Sequence, residues 1–221
     1  LRYNGNIVYN PIKDLTLSAV FSYIRDNMNR GYGETLNHIS ALRDGLAGWS
    51  SVGAYTKMEK LMELTAQYNK EIGAHKFSVL GGYSYNETDF EELWIDNYGF
   101  QDDYFGGWHN IGIGSALKDG KANIGSKKTP TNLIGFFGRA TYSFKNRYLL
   151  MGALRYEGAS QLWGTDNAWG LFPSISVGWR ITEEAFMKNQ KIFDDLKLRV
   201  GYGVTGSQPK DPFLGDRKST R

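Results

Sequence analysis

The chain has 221 residues, of which 41% are hydrophobic and 14% aromatic, with 27 Gly, 5 Pro and no Cys. Its 26 basic and 23 acidic residues are well mixed and leave a net charge of +3, so no basic block argues for nucleic acid. The lack of Cys excludes disulfides and thiolate metal sites, and no run of 18 apolar residues could form a transmembrane helix.

Apolar residues recur at every second position, the period of a β-strand with one oily and one polar face. The first strand is predicted at Arg2 to Tyr9. Leu15 to Asn27 follows, with Leu15, Leu17, Ala19, Phe21 and Tyr23 on one face. Gly53 to Tyr68 carries Met58, Met62, Leu64, Ala66 and Tyr68; Lys76 to Phe90 carries Phe77, Val79, Tyr83 and Tyr85. Asn132 to Phe144 carries Ile134, Phe136, Ala140, Tyr142 and Phe144, and Arg147 to Gly158 carries Tyr148, Leu150, Leu154 and Tyr156. Trp169 to Ile181 carries Trp169, Leu171, Ile175, Val177 and Trp179. The eighth strand, Leu196 to Thr205, alternates Leu196, Leu198, Val200, Tyr202 and Val204 with Lys197, Arg199 and two glycines.

Short and long connections alternate. Asn10 to Asp14, Asn69 to His75 and Lys145-Asn146 are short; Met28 to Val52 and Glu91 to Thr131 are long; Ala159 to Ala168 is intermediate. Antiparallel strands with one end short and the other long are expected of an outer-membrane barrel. Thr182 to Asp195 is long where parity calls for a short turn. Thr182 is predicted to N-cap a short helix there, with Glu183 and Glu184 in its first turn.

Alternation alone leaves open whether the oily face looks inward or into lipid. Trp169 and Trp179 share a face ten residues apart, roughly 33 Å of strand. At a tilt of about 40° that covers roughly 25 Å, the height of an apolar band between aromatic girdles. The opposite face carries Arg139, Arg155, Glu157, Arg180, Lys197 and Arg199, which suit a wet lumen better than a dry core. The expected fold class is therefore all-β, an antiparallel transmembrane β-barrel fragment. Lys60 falls on the oily face and is expected to snorkel at the outer interface.

Arg155 to Ser160 (RYEGAS), Trp169 to Met187 (WGLFPSISVGWRITEEAFM) and Leu196 to Gln208 (LKLRVGYGVTGSQ) together resemble the barrel of SusC/RagA-type TonB-dependent transporters of the Bacteroidetes outer membrane. Leu64 to Glu87 and Phe136 to Leu150 resemble hairpins of the same family. The resemblance implies about eight strands of a 22-stranded barrel, residues 1–221 forming part of the barrel domain. It also implies a plug domain and terminal strands outside this chain. The start at Leu1-Arg2-Tyr3, without Met or a signal-like segment, fits an internal segment. A SusD-like lipoprotein lid, TonB with its inner-membrane motor acting through the plug, outer-membrane lipid, and a glycan or peptide cargo are the implied partners. A passive porin or adhesin-type barrel is the main alternative; an outer-membrane barrel enzyme and a soluble sugar-binding β-protein are two others.

Glu91 to Pro130 interleaves Trp94, Tyr98, Phe100, Tyr104, Phe105 and Trp108 with Asp96, Asp102 and Asp103. Sugars stack on aromatic faces while carboxylates accept their hydroxyl hydrogen bonds. Trp94, Tyr98, Tyr104 and Trp108 are therefore the candidate substrate or lid contacts, against the alternative that these aromatics pack together to order the loop. The acidic residues lack calcium-loop spacing. His38, His75 and His109 are too scattered for a metal site. Gly31-Tyr32-Gly33 and Gly201-Tyr202-Gly203 lack the Lys-Ser/Thr of a phosphate loop, and no Gly-x-Ser-x-Gly elbow occurs. No cofactor and no enzymatic role are expected.

Overall fold

The computed structural model describes residues 1–39, 48–101, 103, 107–187, 189 and 192–206. Eight strands form one sheet in chain order: β1 Arg2–Ile12, β2 Leu15–Glu34, β3 Trp49–Ile72, β4 His75–Tyr98, β5 Asn123–Phe144, β6 Tyr148–Ala159, β7 Trp169–Arg180 and β8 Lys197–Gly203. Pairing from β5 to β8 is antiparallel and unbroken. One row reads Ala140, Gly152, Ile175, Tyr202, and the next reads Thr141, Met151, Ser176, Gly201. The β5–β6 hairpin closes through Lys145 and Asn146, both at φ 54°, with Arg147 N–H donating to the Phe144 carbonyl at 2.9 Å. Positive φ at both central residues is what a tight hairpin turn requires.

All eight predicted strands are present, but several run further than alternation indicates. β1 reaches Ile12, which narrows the first turn to Lys13-Asp14. β2 continues to Glu34 and β3 begins at Trp49, while β4 continues to Tyr98 and β5 begins at Asn123. Much of the two predicted long loops is thus strand. The ladder persists because backbone pairing needs no oily face; beyond Tyr23 and Tyr85 both faces simply turn polar or aromatic, so the period-two signal fades. β8 is shorter than predicted, ending at Gly203.

Thr182 does not cap a helix. Two single-turn 3₁₀ segments, Ile181–Glu183 and Ala185–Met187, fill that connection. Thr182 lies inside the first, its hydroxyl 3.3 Å from Asp195 and accepting from Leu196 N–H at 3.4 Å.

The residues group into two compact units. The first comprises Leu1–Arg2, Ile24–Glu59 and Thr88–Pro130, and the second Tyr3–Tyr23, Lys60–Glu87 and Thr131–Arg221. In the second unit exposure alternates with residue parity. Along β7 the odd positions Leu171, Ile175 and Val177 are 53–54% exposed, while Ser174, Ser176 and Gly178 are half-buried or buried. So much uncovered aliphatic surface belongs against something apolar.

Aromatic belts border this apolar face. Near the short turns, His75 stacks on Phe77 and Tyr142, and Phe144 on Tyr148. Near the other border, Tyr156 stacks on Trp169 at 4.8 Å and Tyr3 on Tyr23 at 6.4 Å. The opposite face holds Arg155, ion-paired with Glu157 and 5.8 Å over the Phe137 ring. Lys60 donates to Glu87 at 2.9 Å, and Glu87 also accepts from the Tyr85 hydroxyl at 3.2 Å.

In the connection after β7, Glu184 accepts from the Tyr148 hydroxyl at 2.7 Å, the Trp179 indole at 3.0 Å and Arg147 at 2.8 Å. The Tyr148 and Trp179 hydrogen bonds, with the Arg147 charge, hold its carboxyl below the usual carboxylate range. A carboxylate with a lowered folded-state pKa stabilises above its ordinary pKa, and that contribution is lost as pH falls through the lowered value. In the full-length protein, acid scans of barrel melting should show a destabilisation that Glu184→Gln removes. Identical acid profiles would show that Glu184 does not anchor this turn.

Candidate functional site

The first unit gathers the predicted site residues. Trp94 and Tyr98 lie on the last turns of strand in β4 rather than in a loop, and Trp108 lies in the 3₁₀ segment Gly107–Ile113. Tyr104, Phe105 and Asp102 lie outside the described residues.

The packing around these rings is close. A Cβ at Gly125 of β5 would overlap the Trp94 indole, and one at Gly33 of β2 would come within 2.7 Å of the Trp108 ring. Both tryptophans therefore lie across bare backbone that only glycine leaves open. Phe100 is buried, with Gly107 against its ring. Tyr98 belongs to a cluster the sequence did not single out: Trp49 lies 6.5 Å from Tyr98 and 5.3 Å from Tyr32. The glycine pair Gly31 and Gly33, spaced by two, was the available signal, since it clears one strand face for a ring from elsewhere.

Asn97 was also missed. Its side chain is wholly buried and donates to the carbonyls of Ile111 at 2.7 Å and Gly114 at 3.0 Å, while its own oxygen accepts from Tyr98 N–H. One amide thus ties the end of β4 to the segment that carries Trp108. The acidic residues are engaged as well: Asp96 accepts from Asn123 at 2.9 Å and Asp103 from Leu36 N–H at 2.9 Å. Among the described residues no group of three or more metal-ligating side chains converges. The arrangement offers aromatic faces on a hydrogen-bonded frame, and Trp108 remains 36% exposed.

The pattern of the family described as TonB dependent receptor-like, beta-barrel matches residues 1–213. This chain belongs to that family. A TonB-dependent receptor of Formosa agariphila is 33% identical over 209 residues, which is 94% of this chain and 20% of that protein. TonB-dependent receptor SusC of Bacteroides thetaiotaomicron is 35% identical over 162 residues, 73% of this chain and 15% of that protein. This chain thus spans about a fifth or less of the length of these relatives.

The sheet superimposes on a solved structure described as the RagAB peptide transporter with a TM-score of 0.71 at 24% identity, covering 91% of this chain and 22% of that one. The closed form of the RagAB peptide importer gives a TM-score of 0.72 over 94% of this chain, again at 24% identity and covering 22% of that chain. At that identity the likeness establishes the fold. The resemblance to SusC/RagA-type barrels read from Trp169 to Gln208 holds, and the family is one of outer-membrane transport proteins, not of enzymes.

Proposed function

We propose that residues 1–221 form part of the barrel wall of an outer-membrane importer for a glycan or its oligosaccharides, or for peptides. A SusD-like lipoprotein serves as its lid, and TonB with its inner-membrane motor drives it through a plug outside this chain. The observation that carries this reading is the two-faced sheet: Leu171, Ile175 and Val177 exposed on one face of β7, with serine, glycine and arginine on the other face of β6 to β8. A glycan cargo is what the resemblance read from the sequence implies; a peptide cargo is favoured by the likeness to the RagAB peptide transporter. The barrel is static in this mechanism. It lines the path and presents the outer surface on which lid and cargo dock.

Trp94, Tyr98 and Trp108, together with Tyr104, are the proposed cargo or lid contacts. In the full-length transporter, Trp94→Ala with Trp108→Ala should weaken binding of oligosaccharide or lid by about tenfold, the scale of one lost aromatic contact, while the barrel still assembles. Parallel titration with oligosaccharides and peptides identifies the cargo class. Normal assembly with unchanged binding would remove these residues from the site.

A further inference from the structure

In the second unit, the polar face of β4 to β8 is short of carboxylates. Its positions carry Lys76, Arg139, Arg155, Arg180, Lys197 and Arg199, with Glu157 as their single acid. Glu157 is engaged by Arg155; Asp195, in the connection between β7 and β8, lies 3.6 Å from Arg180, and Glu71 lies 3.4 Å from Lys76. Arg139, Lys197 and Arg199 are exposed and make no ion pair with any described residue.

Between these three cations the wall is made of small and hydroxylated residues. The row from Arg139 continues through Ala153, Ser174 and Gly203, and the next row on this face reads Thr141, Met151, Ser176, Gly201. The third reads Ser143, Leu149, Gly178, Arg199, and a Cβ at Gly178 would lie 3.6 Å from Lys197 Cε. Toward the short turns the wall hollows into a cleft of about 540 Å³ whose lining includes Lys76, Thr141, Ser143, Ser176, Lys197 and Arg199. The Ser143 hydroxyl is buried there with no hydrogen-bond partner among the described residues.

The spread of charge and the texture of the wall select the occupant. Arg139 and Arg199 stand three strand spacings and two same-face rows apart, about 14 Å across the sheet and about 13 Å along it. An oligomer with repeated negative charges matches that spread. A packed protein domain does not, because stable interfaces have an apolar, aromatic-rich centre, whereas here only Leu149 and Met151 interrupt hydroxyls, glycines and long cations. Uncompensated cations along one wall raise the local concentration of anions. A guanidinium takes a carboxylate by two parallel hydrogen bonds, and at Arg139 and Arg199 no described carboxylate has to be displaced first.

We infer that this wall selects cargo bearing carboxylates, with Lys197 and Arg199 holding one acidic group near the short turns, Arg139 a second, and the Ser143 and Ser176 hydroxyls bonding the chain between them. The inference rests on the proposed importer reading, in which this face lines the path, and narrows the cargo to the acidic members of its class. A uronic-acid glycan and an acidic peptide present the same carboxylate, and the probes below separate them.

The full-length transporter is placed in planar bilayers with its plug loosened by denaturant, so that a molecule held in the lumen is read as a transient block of ionic current. The probes are an oligogalacturonate, the same oligomer with its carboxyl groups reduced, a peptide rich in aspartate and glutamate, and its asparagine and glutamine counterpart. In wild type, one acidic probe should stay about tenfold longer than its neutral counterpart, the scale of one hydrogen bond to a charged group. Whichever acidic probe does so names the source. Arg139→Gln with Arg199→Gln should remove that excess and Arg139→Lys with Arg199→Lys should keep it, each with the heat-modifiable mobility of an assembled barrel. Equal residence within both pairs in wild type, or an excess unaltered by the glutamine pair, overturns the inference. Opening of the glutamine pair at lower denaturant than wild type, with blocks unaltered, also overturns it by making this face a seat for the plug. A full-length protein that forms no pore at any denaturant concentration would instead sink the barrel-wall reading itself.

Discussion

Arginine at Ile175 is expected to cost the assembled full-length barrel about 2–4 kcal/mol, and arginine at Ser176 far less. The two positions are adjacent on β7, so backbone pairing and propensity are nearly the same for both. They differ in facing. Ile175 is 53% exposed and lies in the row Ala140, Gly152, Ile175, Tyr202, six residues from Trp169 and four from Trp179. That position is near the middle of the apolar band, where a guanidinium meets hydrocarbon and neither belt is within easy reach. Ser176 lies one row on, between Met151 and Gly201, on the face that already carries Arg155 and Arg199. A cation there joins a polar lining. Reversible unfolding of the full-length protein from liposomes, or assembly yield in cells, reads the difference. If Ser176→Arg is the more damaging, the faces are inverted and the sheet encloses a dry core.

Replacing Asn97 by Leu should loosen residues 107–122 without disturbing the paired strands β5 to β8. The substitution keeps the branching at Cγ but leaves the Ile111 and Gly114 carbonyls without their donor. A buried acceptor that loses its partner costs about 1–3 kcal/mol. Asn97→Asp should be worse, because it aims a carboxylate at the same two carbonyl oxygens in a site with no exposure. Limited proteolysis and hydrogen exchange of the full-length protein should show new cleavage and lost protection confined to this connection. Cargo binding should fall with it, since Trp108 is carried on the released segment. Protection equal to wild type would show that the aromatic packing alone orders the site.

The strands whose oily face repeats cleanly were legible in the sequence because alternation records which side of a strand meets an apolar medium. Leu196 to Val204 and Trp169 to Trp179 report their facing without any partner strand, and the second series also reports the height of the apolar band. The two-faced sheet therefore follows from the order of residues alone. The outer ends were not legible. From Arg25 to Glu34 and from Glu87 to Tyr98 neither face is uniformly apolar, so strand and loop read alike until neighbouring strands supply the pairing. Lys60, isolated in sequence, finds Glu87 only across the β3–β4 ladder. Thr182 had the right residue type for a cap, yet the connection folds as two separate 3₁₀ turns, and its hydroxyl serves Leu196 N–H instead. The candidate site divides the same way. Aromatic and acidic composition marked Trp94, Tyr98 and Trp108, but the glycine seats of the two tryptophans on β5 and β2 and the Asn97 clamp join residues far apart in the chain, and only the tertiary structure brings them together.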